Sequence, residues 1–208
     1  MFTSVAYRGM TGRAVVILAV LCLGLAAYNV LAAEDCPHRG NLDVRYCDAN
    51  RDLVADTPRN GEEWLDPDTL IFSYTPVEDP SVYENVFTEF MDYLTEVTGK
   101  EVKWYGAESY AAQVEAMRSG RLHVAGISTG PTVFAVNLAG YVPVAIMGKQ
   151  DGTFGYKLQL ITYKDSDIKE LKDLKGRKVA HVTPSSNSGN QAPRALFTDM
   201  GVEPGKDY

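Results

Sequence analysis

From Thr69 onward, short apolar runs alternate with stretches of helical periodicity, and this alternation limits the possible folds more than any other feature of the chain. Leu70–Tyr74 predicts a strand. Asp79-Pro80 then reads as a cap followed by proline at the first helical position, and Val82, Val86, Phe90 and Leu94 mark one helical face until Gly99. Val102–Tyr105 predicts a second strand, Ser109 caps a helix through Met117 and Arg118, and Leu122–Ile127 reads as a buried strand. Ser128-Thr129-Gly130-Pro131 opens a helix that runs to Asn137 and stops near Gly140. Tyr141–Met147 and Leu158–Tyr163 read as further strands, Ile168–Leu174 as a short helix, and Lys178–Val182 as the strand before a polar loop. Such alternation predicts an α/β fold with mainly parallel, doubly wound sheets.

That topology gives the loops a meaning. In open α/β sheets, ligands gather beyond the carboxyl ends of the strands, where helix N-termini also point. Three such junctions carry polar, helix-opening residues: Thr75 to Pro80, Ser128 to Pro131, and Ser185 to Gly189. In the third, Ser185, Ser186, Asn187 and Ser188 stand before a helix with Pro193 in its first turn, and Gly189 permits close approach to the backbone. Helix N-termini present unpaired N–H groups and the positive end of the macrodipole, so this cluster suits an anion. The same residue types are also the commonest helix caps, and both readings stand at this level. In the first junction, Glu78 and Asp79 would repel a dianion; they serve either as caps or as partners of a ligand ammonium.

The N-terminal third has its own logic. Arg8 and Arg13 precede an apolar run from Ala14 to Ala27, and Val30-Leu31-Ala32-Ala33 supplies small residues before Glu34. The run is shorter than the roughly 20 residues of a bilayer-spanning helix, so residues 1–33 read as an export signal cleaved near Ala33, with Cys22 discarded and the product in the periplasm. Cys36 and Cys47 remain in an oxidising compartment and favour a disulfide over a zinc site with His38, because no pair has zinc-knuckle spacing. Removal of Arg8 and Arg13 moves the formal net charge from -7 to -9, which argues against nucleic-acid or anionic-membrane partners. An anion would then have to be held by local neutral donors.

Residues 34–68 read as a polar extension before the core. Within it, Asp48, Asn50, Asp52 and Asp56 occupy positions one, three, five and nine of a calcium-loop pattern, with Val54 free to offer a carbonyl. Leu53 stands where the sharp-turn glycine belongs and Arg59 where an EF-hand has its bidentate Glu, so a solvated acidic turn competes with calcium binding. No other metal or cofactor motif is present. The three histidines, His38, His123 and His181, belong to no nucleophile–base or metalloprotease pattern, which argues against an enzyme.

Several ordered segments carry a family resemblance: Phe72-Ser-Tyr-Thr-Pro, Ser109-Tyr-Ala-Ala-Gln-Val-Glu-Ala-Met-Arg-Ser-Gly, Asp151-Gly-Thr-Phe-Gly-Tyr156 with Ile161-Thr-Tyr-Lys-Asp-Ser166, Leu171-Lys-Asp-Leu-Lys-Gly176, and Pro184-Ser-Ser-Asn-Ser-Gly189. Together they resemble the phosphate/phosphite/phosphonate-binding periplasmic proteins of ABC importers, from Thr69 to the end of the sequence. The resemblance implies a two-lobed, type 2 periplasmic-binding-protein fold that closes on its ligand by a hinge, with lobe 1 over 69–158 and the start of lobe 2 over 159–208. It implies an oxyanion ligand, a permease and its ATPase as partners, and a monomer. By family standards the sequence is C-terminally short, which leaves lobe 2 incomplete and predicts that its sheet is poorly covered.

The Ser-rich loop carries over to Ser186, Asn187, Ser188 and Gly189, with Asn187 where a Thr is common. Ser128 and Thr129 form a second contact region, although Ile127 departs from the aromatic-then-glycine pattern of relatives. Tyr74 and Thr75 are further candidates, as is Tyr156, for which a core or hinge role is the alternative. A ligand-sensing ectodomain of the same fold, without transport, is the competing function.

Overall fold

The computed structural model describes residues 36–58, 64–76 and 79–208. The proposed export signal, Cys22, Glu34, Arg59 and Glu78 lie outside the described residues.

Three parallel strands, β1 (Thr69–Tyr74), β2 (Glu101–Trp104) and β3 (Val124–Gly126), form a sheet of order β2-β1-β3. In register, Thr69 faces Glu101 and Phe72 faces both Trp104 and Val124, while Tyr74 faces Gly126. The strand alternation sorts side chains onto two helical layers. On one face, Phe72 is 2% exposed and packs edge-on against Phe87 and Trp104, with ring centroids 5.3 and 5.7 Å away. On the other, Ile71, Ala125 and Ile127 pack against Ala116, Met117, Leu122, Ala135 and Ala139.

The helices begin and end where their caps predict. Asp79 caps α1 (Pro80–Val86) by accepting the Ser81 N–H, and α2 (Thr88–Thr98) closes at a left-handed Gly99. Ser109 caps α3 (Tyr110–Arg118) by accepting the Ala112 N–H at 3.1 Å. Helix α4 (Thr129–Ala139) ends at Gly140, whose φ of 66° suits glycine and whose missing side chain leaves room for the Tyr46 ring. A final helix, α5 (Ala192–Asp199), carries Pro193 in its first turn as expected.

Three expectations are corrected. The single helix over 80–98 is broken at Phe87, and its anticipated face splits: Val82 and Val86 are 52% and 68% exposed, while Phe90 sets its ring 5.1 Å from Phe72. Phe87 is half-buried, its ring 4.6 Å from Tyr74 and stacked 6.2 Å from Trp104, and this aromatic cluster outweighs the regular apolar stripe. The strands expected at 141–147, 158–163 and 178–182 do not form. Most of their apolar side chains lie at the surface, with Val144 91%, Ile161 85% and Tyr163 92% exposed, while Tyr141 and Val179 pack against the two cores. A strand requires a neighbour to accept its ladder bonds, and among the described residues these segments pair with no strand; the one bridge nearby, Gly148 to Phe154, lies outside them. The expected helix at 168–174 shrinks to a 3-10 turn over Leu171–Leu174. Its Leu174 joins Phe197 and Val202 in a second small core, against which Ile168, Val179 and Tyr208 pack.

The extension is docked against the C-terminal ends of α3 and α4. Cys36 and Cys47 form a disulfide, with Cα atoms 5.5 Å apart. The loop that it closes sends Arg45 to the ends of two helices, donating to the Arg118 carbonyl at 3.3 Å and to the Leu138 carbonyl at 2.7 Å. Cations at helix C-termini are favoured by the macrodipole. Asp43 orients this guanidinium by accepting Nε at 2.9 Å, and its own amide bonds the Asn137 carbonyl at 2.7 Å.

Candidate functional site

β1 ends at Tyr74, which delivers Thr75, 6% exposed, to the carboxyl edge of the sheet. β3 ends at Gly126 and feeds Ser128, the N-cap of α4. The Ser128 hydroxyl makes no cap bond to its own helix; it pairs with the Thr75 hydroxyl at 2.9 Å. Thr132 closes the first turn from its own amide and hydroxyl to the Ser128 carbonyl at 3.0 and 2.9 Å. The first-turn amides of Thr129 and Gly130 therefore have no side-chain cap, which is the arrangement that favours an anion.

The third junction meets this helix start. Asn187 donates its side-chain N–H to the Thr129 hydroxyl at 3.2 Å. Gly130 brings the two backbones together: a Cβ there would lie 1.9 Å from the Ser185 carbonyl oxygen and 2.9 Å from the Asn187 nitrogen. Thr75, Ser128, Thr129 and Asn187 thus form a continuous line of neutral hydrogen-bonding groups across three elements. No cation belongs to the three junctions, so charge would be held by hydroxyls, amides and helix N–H groups.

The other sequence-nominated residues separate. Ser186 is 6% exposed and caps the turn that follows, accepting the Gly189 N–H at 3.2 Å, while its carbonyl accepts the Gln191 N–H at 3.0 Å. This turn, Asn187–Gln191, is π-helical and stands between the loop and α5. Gly189 is required by packing, since a Cβ would lie 2.5 Å from Val182 Cγ2 and 2.9 Å from Ser186 Oγ. Ser185 lines a different concavity of about 350 Å³ between α3 and α4, together with Tyr110, Arg118 and Phe134. Ser188 and Tyr156 hydrogen-bond one another, and Tyr156 is 79% exposed, so neither is a core residue there. Tyr74 lies flat against Gly126 and directs its hydroxyl to Met147 Sδ at 3.7 Å. Asp79 acts as a helix cap, and the backbone and hydroxyl of Ser81 beside it hold its carboxyl below the usual range.

The acidic loop folds back on itself. Asp48, 1% exposed, accepts the Asp52 N–H at 2.9 Å and the Leu53 N–H at 3.2 Å. Asn50 accepts the Asp52 N–H, Asp52 the Val54 N–H at 3.0 Å, and Asp56 the Ala49 N–H at 2.8 Å. Leu53, at the sharp-turn position, takes a left-handed φ of 71°. Among the described residues, no group of three or more His, Cys, Asp or Glu side chains is placed to hold a metal ion.

Sequence reasoning missed Gln113. It is fully buried on α3 and donates to the Ser73 hydroxyl at 3.4 Å and to the Gly126 carbonyl at 3.3 Å. The signal was a lone amide between Tyr110 and Val114 on an otherwise apolar face. His123 is structural, its Nδ1 accepting the Ile71 N–H at 2.9 Å.

Comparison with known proteins bears on this geometry. The phosphate-import protein PhnD of Mycolicibacterium smegmatis is 32% identical over 139 residues, 65% of this chain and 43% of that protein. The crystal structure of a binding protein component of an ABC phosphonate transporter from Pseudomonas aeruginosa matches with a TM-score of 0.59 at 26% identity, covering 67% of this chain and 48% of that one. The chain therefore spans about half the length of these relatives, and the α/β, parallel-sheet architecture is that of a periplasmic binding protein. The family model described as the periplasmic substrate-binding protein of the phosphonate ABC transporter matches residues 72–208, and to that family this chain belongs.

Proposed function

We propose that the chain captures a phosphorus oxyanion, a phosphonate, phosphite or phosphate, at the edge where β1, α4 and the 185–189 loop meet, and delivers it to an ABC permease. The observation that carries this reading is the line Thr75–Ser128 and Thr129–Asn187, which surrounds an uncapped helix start with neutral donors. Charge-assisted hydrogen bonds from such donors are about twice as strong as neutral ones, which offsets the absence of a cation. Ser188 and Tyr156 join the site from the second lobe, residues 159–208, and its hinge, where their mutual hydrogen bond gives way to the ligand. The role is binding without turnover. The location is periplasmic, reached by the leader at 1–33, and the Cys36–Cys47 disulfide suits that compartment. Mass spectrometry of exported protein tests the location, with a mature N-terminus near Glu34 as the expected result.

Calorimetry on the full chain against phosphate, phosphite, methylphosphonate and 2-aminoethylphosphonate tests the ligand class. At least one should bind with a 1:1 stoichiometry, and Ser128→Ala should weaken it by about tenfold, the loss of one charge-assisted hydrogen bond. Tight binding of an amino acid or sugar and of none of these oxyanions would overturn the reading.

A further inference from the structure

We propose that Gln113 is the positioning residue of the oxyanion site, setting the spacing between the two strand ends whose hydroxyls meet there. The inference rests on the oxyanion reading of that site. β1 and β3 are neighbours, but their ladder stops at the Tyr74–Gly126 pair. Beyond it, Thr75 and Ser128 meet through their hydroxyls at 2.9 Å, and nothing in the ladder itself fixes that spacing. Gln113 supplies that constraint from α3. One amide hydrogen reaches the Ser73 hydroxyl, two residues before Thr75 and on the same face of β1, and the other reaches the Gly126 carbonyl, two residues before Ser128. Ser73 and Gln113 are both 0% exposed, so water does not compete for these bonds.

The residue is not explained by packing. Gln113 Oε1 is buried and finds no donor among the described residues, a state that an apolar side chain of similar size would avoid. A fully buried amide that leaves one oxygen unmet is unfavourable as core filling, yet its two N–H groups are the only kind of side-chain fork on α3 that ties both strand ends at once. The register that it sets is read out two residues later on each strand, as the 2.9 Å contact between Thr75 and Ser128. A misplacement of about 1 Å there separates the two hydroxyls from a shared ligand oxygen, since hydrogen bonds weaken steeply outside a narrow range of distance and angle.

The test is a double-mutant cycle on the full chain, read by calorimetry with methylphosphonate and by melting temperature. Gln113→Leu should keep a cooperative melting transition and weaken binding about tenfold, because it removes the orphaned oxygen along with the fork. Combined with Ser128→Ala it should weaken binding no further than Ser128→Ala alone, since the amide acts through that hydroxyl. Ser73→Ala, a small change that removes one of the two anchors, should weaken binding about threefold, which keeps the inference open to refutation if the leucine variant does not fold. Unchanged affinity in both Gln113→Leu and Ser73→Ala, or losses that multiply independently with Ser128→Ala, would overturn the positioning role while leaving the oxyanion reading intact. Failure of the unsubstituted chain to bind any of the four oxyanions would retire both.

Discussion

Residues 69–140 and 141–208 carry much the same alternation of apolar runs, yet only the first stretch builds a sheet. In the first, β1 lies between two parallel partners and buries Phe72 to 2%; in the second, Val144, Ile161 and Tyr163 stand 85% exposed or more. The difference teaches that apolar alternation specifies a face, not a strand. A ladder needs its neighbour on both the hydrogen-bonding and the packing side, and a segment with apolar content alone stays irregular.

The contrast can be broken most forcefully at its centre. Phe72→Ala should cost about 3–5 kcal/mol in denaturant unfolding, because it empties the aromatic cluster that covers one face of the sheet. A loss below 1 kcal/mol would mean that the first region is no better packed than the second. Gly130→Ala comes next, at about 1–3 kcal/mol, since its Cβ must displace the Ser185 backbone that joins the two regions. Weakened oxyanion binding should accompany it in calorimetry. Ser186→Ala should cost about 1 kcal/mol as a lost cap, detectable as a lowered melting temperature.

Acid tests the N-terminal extension, which docks on the first region. Asp43 is held below its usual range first by the Arg45 side chain and then by the Arg45 amide. A depressed folded pKa stabilises above the unfolded value, near 3.9, and that contribution disappears as pH falls through the folded value. Asp43→Asn should therefore lower the melting temperature at pH 7 and leave the two proteins alike at the acid end of a titration followed by circular dichroism. The smallest effect belongs to Tyr163→Ala, within about 0.5 kcal/mol, because the ring is 92% exposed. A larger loss would show that the second region is more ordered than its surface indicates.

What could be read from the sequence follows the same division. β1, the caps Asp79 and Ser109, and the glycine stops at 99 and 140 were legible because each depends on neighbours within a few residues. The break at Phe87 was not, because its cause is a ring packed against Phe72 and Trp104 from other strands. At the site, the polar junctions were visible as residue types, and Thr75, Ser128, Thr129 and Asn187 do meet. Which serines face that line and which cap or turn away was hidden, since Ser185, Ser186 and Ser188 are adjacent in sequence and go to three different surroundings. Gln113 and Gly130 act only through groups on other elements, the Ser73 hydroxyl and Gly126 carbonyl for one and the Ser185 backbone for the other.

The Arg45 clamp bears on the order in which the molecule assembles. Its acceptors, the carbonyls of Arg118 and Leu138, lie 73 and 93 residues further along the chain. The loop that carries Arg45 precedes every strand in the chain, and its disulfide can close over a separation of only 11 residues before any strand exists. Docking must wait until both helices have completed their last turns. Of the described segments, the first to be made is thus among the last to settle, and until Leu138 has been made it is a tethered loop without its helix-end partners, exposed to proteolysis.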